Sequence, residues 1–385
     1  MIHVLCGVKD KIHIGFFCSS ISWGGLEMNV IRYAEWMQER GHQVTIFTVD
    51  NSPLAELAQK KKLERVYVSH HHKYIYFLSA IRVEKTMREM GVDLIWIRDT
   101  RDMGLAGRIG KRLHIPVLYQ QAMQLGVDKL DIFHTRRFNR ISAWVATLDF
   151  LYQQVLKRTK FSEEKLHMIP LGLDMSQFNN QISKEEARKK LKLPLDVPIV
   201  GIVGRIDPLK GQDTLLKAMS YSKNMDWHVI IVGEMTRNED QFFVKRLKNI
   251  IELNYLEGRV HFIPFLSEVE LAYAAMDIFA MCSAGETFGM VTIEAMAAGV
   301  PVLGTDAAGT PEILNHGEFG EMYDPFDHHG LGRIIVQYLE KPEDIKSMGL
   351  KGRARAQKLY EKNVVLDQLE SLALDLVASF SKSGK

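Results

Sequence analysis

Ser283 to Ile313 reads SAGETFGMVTIEAMAAGVPVLGTDAAGTPEI. It begins where a short apolar run, Asp277 to Cys282, gives out in the polar turn Ala284-Gly285-Glu286-Thr287. The spacing predicts a buried strand over Asp277–Cys282, a helix from about Met290 to Ala298 and a second strand over Pro301–Gly304. Strand, turn, helix, strand is half of a doubly wound α/β sheet, and such sheets bind ligands at the carboxyl ends of their strands. Glu286 falls in that crevice.

Glu286 and Glu294 bracket the turn and the first half of the helix, with seven residues between them. Between the two, Phe288-Gly289-Met290-Val291 opens the helix, where unpaired backbone N–H groups and the macrodipole attract an anion. Gly289 lets a phosphate approach the backbone. Each piece also has a plainer reading: Ala295, Met296 and Ala298 as core, Glu294 as a solvated helix carboxylate, Glu286-Thr287 as an N-cap.

A second motif lies upstream. The apolar run Pro198–Val203 ends in Gly204-Arg205-Ile206-Asp207-Pro208-Leu209-Lys210-Gly211. Two cations so placed stabilise a diphosphate leaving group, which gains charge as a bond to it breaks. Either residue alone reads as surface charge.

Together the two motifs resemble the E-x7-E and GR-x4-KG elements of family 4 of the retaining glycosyltransferases (group 1, GT-B type), and the FGM-x3-EAMAAG-x-PV run agrees. The resemblance implies an α/β, GT-B architecture, two Rossmann-like parallel-sheet domains facing across a cleft that closes on its donor. It also implies a nucleotide diphosphate-sugar donor and a glycan or lipid-linked acceptor. Arg205 and Lys210 would hold the diphosphate, Glu286 the sugar hydroxyls and Glu294 the ribose. Backbone N–H groups of Phe288, Gly289, Met290 and Val291 would orient phosphate and sugar.

Upstream of these motifs β and α patterns alternate, which predicts a parallel sheet. The strand Ile12–Cys18 runs into Ser19-Ser20-Ile21-Ser22-Trp23-Gly24-Gly25 and a helix with Leu26, Val30, Tyr33, Ala34 and Met37 on one face. Gly24 and Gly25 read either as a plain βα turn or as a phosphate cradle; they resemble the family's Gly-Gly loop, which faces the donor diphosphate. Lys60-Lys61-Lys62 and His70-His71-His72 read as solvated element ends, and the histidines are not taken as a metal site. A helix is expected from Tyr74 to Met90.

Counting six residues on from Pro116 reaches Ala122, where many relatives carry a sugar-pocket histidine, and no His lies between Ile115 and Ile132. Gln121 and Gln124 are the acceptor-side candidates for bonding hydroxyls. Lys129, His134, Arg136, Arg137 and Arg140 interleave with Phe133, Phe138 and Trp144. Such a stretch reads as a solvated helix with an apolar inner face, or as a hold for a phosphorylated or lipid-linked acceptor at a membrane.

The expected divisions are 1–170 for an acceptor-side domain, 171–196 for a linker opening on Pro170-Leu171-Gly172-Leu173-Asp174, 197–355 for the nucleotide-sugar domain, and 356–385 for a C-terminal helix packing back on the first domain. A length of 385 residues suits two domains, and 46% hydrophobic with 25% charged residues suits a globular chain. The net charge of +2 argues against a nucleic-acid binder. Three cysteines, Cys6, Cys18 and Cys282, show no paired or metal spacing, and no run of about 18 apolar residues occurs. A cytoplasmic setting is expected, with contact at the inner membrane face.

The expected activity is retaining transfer of a sugar to an acceptor hydroxyl, in cell-surface polysaccharide or glycolipid synthesis. No cofactor is called for and no metal is required: Asp99 and Asp102 are three apart and form no Asp-x-Asp. A dehydrogenase would need G-x-G-x-x-G after the first strand, which is missing. A nucleotide-sugar epimerase of the same fold, and a non-catalytic nucleotide-sugar-binding protein suggested by Ala122, are the alternatives.

Overall fold

The computed structural model describes residues 10–70, 77–179, 182–221, 225–235 and 241–383. Cys6, His71, His72 and the expected helix start at Tyr74 lie outside these. The chain divides into two units: Met1–Pro170 with Val365–Lys385, and Leu171–Val364.

In the first unit strands and helices alternate. They are His13–Cys18 (β1), Gly25–Glu39 (α1), Gln43–Val49 (β2), Pro53–Lys60 (α2), Glu64–Val68 (β3), Phe77–Glu89 (α3), Leu94–Ile97 (β4), Met103–Leu113 (α4), Val117–Gln120 (β5), Ile132–Phe138 (α5), Ala143–Ala146 (β6), Asp149–Arg158 (α6) and Leu166–Met168 (β7). The strands form one sheet in the order β3-β2-β1-β4-β5-β6-β7, parallel throughout. All residues of β1, β4, β5 and β6 are buried. That follows from sequences such as HIGFFC and LIWI, apolar without alternation, which suit a sheet covered on both faces.

The second unit repeats the plan with Lys184–Lys190 (α7), Ile199–Val203 (β8), Gln212–Tyr221 (α8), His228–Val232 (β9), Gln241–Leu253 (α9), Val260–Ile263 (β10), Glu270–Ala275 (α10), Ile278–Met281 (β11), Met290–Ala297 (α11), Val302–Thr305 (β12), Thr310–Ile313 (α12), Glu321–Tyr323 (β13), His328–Leu339 (α13) and Pro342–Tyr360 (α14). Its parallel sheet runs β10-β9-β8-β11-β12-β13. The last helix is Lys362–Ser383 (α15). In both sheets the order reverses beside the first strand, between β1 and β4 and between β8 and β11. Those are the topological switch points where ligands sit.

The stretch Leu171–Leu195 is folded into the second unit. Its anchor is Arg188 on α7, buried, which donates to the carbonyls of Ala275, Leu195 and Val197 and pairs with Asp277 at 2.7 Å. A lysine-rich run hides such an anchor, because one buried guanidinium among surface cations has no distinct signal. From Val365 onward α15 belongs to the first unit: Val365, Leu369 and Ala373 are buried, and Glu370 pairs with Arg40 at 2.6 Å and His42 at 2.8 Å.

Cys18 and Cys282 are free and buried, each at the carboxyl end of a strand. Burial pushes the Cys18 thiol well up, with Asp102 adding to it, and the Cys282 thiol up to about 12. Among the described residues no helix is long and apolar enough to cross a membrane.

On β9 and β10, His228 and His261 stack with centroids 5.2 Å apart and share a 2.9 Å hydrogen bond. Burial holds both imidazoles below the usual range, and for His228 the neighbouring His261 adds to this. The unfolded chain therefore binds these protons first as pH falls, so the stability the pair contributes is present above the ordinary histidine value, about 6.5, and is lost below it. Replacing His261 by Gln is expected to flatten the fall in melting temperature between pH 7 and 5; a parallel fall in variant and parent would show no proton linkage at the pair.

Candidate functional site

The second unit's site is built at the ends of β8, β9 and β11. After β8 the chain turns through Gly204, whose N–H donates to Val232 O at 2.9 Å, and Ile206 N–H donates to Glu234 O at 3.1 Å. Asp207 accepts from Leu209 N–H at 2.8 Å, starting a single helical turn over Pro208–Lys210. Gln212 donates its amide to Arg205 O at 2.7 Å. The loop is thereby clamped at both ends.

Two glycines make the clamp sterically possible. Gly211 has φ +73°, and a Cβ there would lie 2.3 Å from the carbonyl oxygen of Cys282. Gly233 has φ +140°, and a Cβ there would lie 2.0 Å from Gly204 O. Only glycine fits either position.

The clamped loop delivers Lys210 to Glu286, Nζ to Oε2 at 2.7 Å, with side chains 29% and 16% exposed. Glu286 is itself fixed, since its carbonyl accepts from Gly309 N–H at 3.0 Å. Arg205 is more open, 3.8 Å from Asp207 and 55% exposed. Gly289, at φ +73° and ψ +56°, is the N-cap of α11 and supplies no side chain to its first N–H groups. The helix start thus keeps its positive end turned outward. Phe288 is buried and stacks edge-on against Tyr360 with centroids 6.0 Å apart, while Met290 and Val291 are half-buried.

Glu294 lies one further turn along α11, where the hydroxyl of Tyr273 donates to it at 3.0 Å and to Val291 O at 3.1 Å. Tyr273 is fully buried on α10, and burial together with the Glu294 charge pushes its phenol well above the usual range. Tyr273 therefore stays a donor and orients the carboxylate. Its position among the alanines of α10 gave no sign of that role in the sequence.

In the first unit β1 ends at Cys18, and Ser19 donates both its N–H (3.2 Å) and its hydroxyl (2.5 Å) to Asp102. Asp102 stands at the N-cap of α4 but makes no cap bond; it fixes the start of the glycine loop instead. Gly24 is extended and begins α1, and a Cβ on Gly24 would lie 3.6 Å from the carboxylate of Glu27, which is itself buried. A Cβ on Gly25 would meet nothing.

Gln121 is turned inward: it accepts from Trp144 Nε1 at 3.0 Å, donates to Met123 O at 2.9 Å and is buried. Its amide serves the fold rather than a surface pocket. Gln124 accepts from Gln154 at 3.5 Å, and Ala122 is half-buried. The basic and aromatic stretch splits in two. Arg137, Phe138 and Trp144 are buried, with Arg137 over the Phe138 ring at 5.4 Å, whereas Arg136, Arg140, Ile132 and Phe133 are exposed.

Two family models match the chain, Glycosyltransferase Family 4 over residues 23–177 and Glycosyl transferases group 1 over residues 183–355. A D-inositol 3-phosphate glycosyltransferase of Corynebacterium glutamicum is 26% identical over 60% of this chain and 57% of its own length. Mannosylfructose-phosphate synthase of Agrobacterium fabrum is 25% identical over 59% of this chain and 52% of its own. The chain thus spans little more than half the length of these two relatives. Among solved structures, a glycosyltransferase from Rickettsia africae superposes with a TM-score of 0.86 at 21% identity, covering 96% of this chain and 99% of that one. Anabaena HepE, solved with UDP, gives 0.84 at 22% identity, covering 94% and 99%.

Burial and the neighbouring Asp99 push the Asp102 carboxyl up to about 7, against the opposing bonds from Ser19. A carboxyl raised in the fold favours folding below its ordinary value, and that contribution is lost as pH rises from about 4 through 7. The melting temperature of the parent relative to Asp102→Asn is therefore expected to drop between pH 5 and 8. A constant difference across that range would mean that Asp102 is ionised throughout.

Proposed function

Because the chain belongs to the group 1 glycosyltransferases of family 4 type with the GT-B fold, we propose that it is a retaining hexosyltransferase. It moves a sugar from a nucleotide diphosphate-sugar to an acceptor hydroxyl, in glycolipid or cell-surface polysaccharide synthesis. The observation that carries this reading is the 2.7 Å pair of Lys210 and Glu286 at the switch point of the second sheet. HepE has been solved with UDP and with UDP-glucose, which supports a nucleotide-sugar donor and makes UDP the first nucleotide to try.

In this reading the arriving diphosphate draws Lys210 and Arg205 onto its oxygens. The start of α11 faces the same charge with N–H groups from Phe288 to Val291. Relieved of its lysine, Glu286 accepts hydroxyls of the donor sugar, and Glu294, held by Tyr273, accepts those of the ribose. As the sugar bond breaks, charge grows on the departing phosphate, and fixed cations stabilise that state more than the ground state. These two side chains supply the charge that a metal brings elsewhere, so the reading asks for no metal or cofactor. The acceptor attacks from the face that the diphosphate leaves, and the diphosphate takes the proton.

Membrane contact has its own support: Val127, Ile132 and Phe133 are exposed (68%, 58% and 78%), and Arg136 and Arg140 are exposed beside them. Apolar tips among cations suit an anionic lipid surface. In flotation, the protein is expected to rise with vesicles containing phosphatidylglycerol, and Phe133→Ser with Ile132→Ser is expected to stay behind; equal recovery of both would remove the membrane from this proposal.

Two variants test the donor site. Lys210→Ala is expected to slow transfer by at least about tenfold, since a contact to the developing charge is lost. Glu286→Gln is expected to lower turnover while leaving UDP binding, read by calorimetry, nearly intact. Unchanged turnover in Lys210→Ala would defeat the diphosphate role, and equal loss of turnover and UDP binding in Glu286→Gln would make that residue structural.

A further inference from the structure

The carboxyl end of the first sheet holds a buried cation that has no counter-charge among the described residues. Arg98 follows β4 directly, and the β4–β5 register of Ile97 with Tyr119 sets it beside Gln120. It is 2% exposed. One guanidinium nitrogen donates to the Gln120 side-chain oxygen, and the guanidinium lies over the Tyr33 ring at 5.6 Å. Burial pushes its guanidinium down to about 10, against the neighbouring Tyr33 and Tyr119, and Arg32, a cation too, lowers it further.

The nearest carboxylates in the chain are engaged elsewhere. Asp99 binds Arg101, by its side chain at 2.6 Å and its N–H at 2.8 Å, and Asp102 binds Ser19. Meanwhile Arg98 Nε, Gln120 Nε2 and Trp96 Nε1 are all buried with no acceptor among the described residues. Trp96 stands two residues before Arg98 on the same face of β4, opposite Leu118.

A buried ion without a partner destabilises the fold, and each orphaned buried donor adds to that cost. Stacking on a tyrosine returns only a part of it. The deficit sits at the switch point of the sheet, where a ligand would be expected. What the group lacks is a set of acceptor oxygens bearing negative charge.

We infer that Arg98 and Gln120 form an oxyanion-binding site at the carboxyl end of the first sheet, and that it takes the phosphate or carboxylate group of the acceptor. The anion site stands on Arg98 and its orphaned neighbours; only the identification of its ligand as the acceptor rests on the transferase reading.

The test uses the full chain carrying Lys210→Ala, so that phosphate bound at the donor lysine does not count. Thermal melts are followed against inorganic phosphate, glycerol 3-phosphate, acetate and glycerol at constant ionic strength. At least one of the anions is expected to raise the melting temperature, and glycerol is not; phosphate against acetate identifies the anion class. Adding Arg98→Met is expected to weaken that binding by about ten- to hundredfold, the value of a charge-assisted hydrogen bond. Without ligand the same variant is expected to melt at or above its parent, because an uncompensated charge has been removed. If Arg98→Met does not fold, Gln120→Leu replaces it and is expected to weaken anion binding in the same direction.

No stabilisation by any anion, or stabilisation that survives loss of Arg98, overturns the site. UDP calorimetry on Arg98→Met with Lys210 intact reports on the donor side separately. Retained UDP binding with lost anion binding supports both readings, whereas lost UDP binding with retained anion binding breaks both assignments.

Discussion

The second unit depends on two places where backbone meets backbone with no side chain between. Gly211 rests on the carbonyl of Cys282, and Gly233 rests on that of Gly204. Through these contacts the ends of β8, β9 and β11 close to within van der Waals distance. The loop from Arg205 to Lys210 then has one course open to it. A methyl group at either glycine would push that loop off the sheet, and the lysine would no longer meet its carboxylate. The pairing of charge in this site is therefore a steric achievement before it is an electrostatic one.

Much of this was legible in the chain. Unbroken apolar runs such as HIGFFC, each followed by a glycine or polar turn and a helical period, specify parallel strands buried on both faces. Arg205, Lys210, Glu286 and Glu294 stood out because short motifs place them at strand and helix ends. Their mutual geometry was not legible, since the bond between Lys210 and Glu286 spans 76 residues and depends on strand order. Gln121 misled because a polar residue on a loop looks available; its amide is consumed by Trp144 and Met123.

Arg98, Arg188 and Tyr273 share a different opacity. Each is a polar or charged side chain at a place where sequence suggests solvent. Each turns inward because a neighbouring element presents what it can bond: carbonyls for Arg188, a carboxylate for Tyr273, an aromatic ring and an amide for Arg98. Burial of this kind is decided by the third dimension, and single-residue propensity carries none of it. Arg98 is the instructive member, since its described neighbours meet it with one hydrogen bond and a ring and leave its Nε and its charge unanswered.

The two buried thiols have a consequence for how the molecule ages. Cys18 and Cys282 each close a strand beside a proposed ligand site, and each is held far from ionisation. Peroxides and alkylating agents attack the thiolate, so both sulfurs are chemically silent while the strand ends stay packed. Oxidation at either would mark a chain that had already opened there. An oxygen added to the Cys282 sulfur would then crowd the buried Tyr323 hydroxyl bonded to it, so that a passing fluctuation would become a permanent lesion.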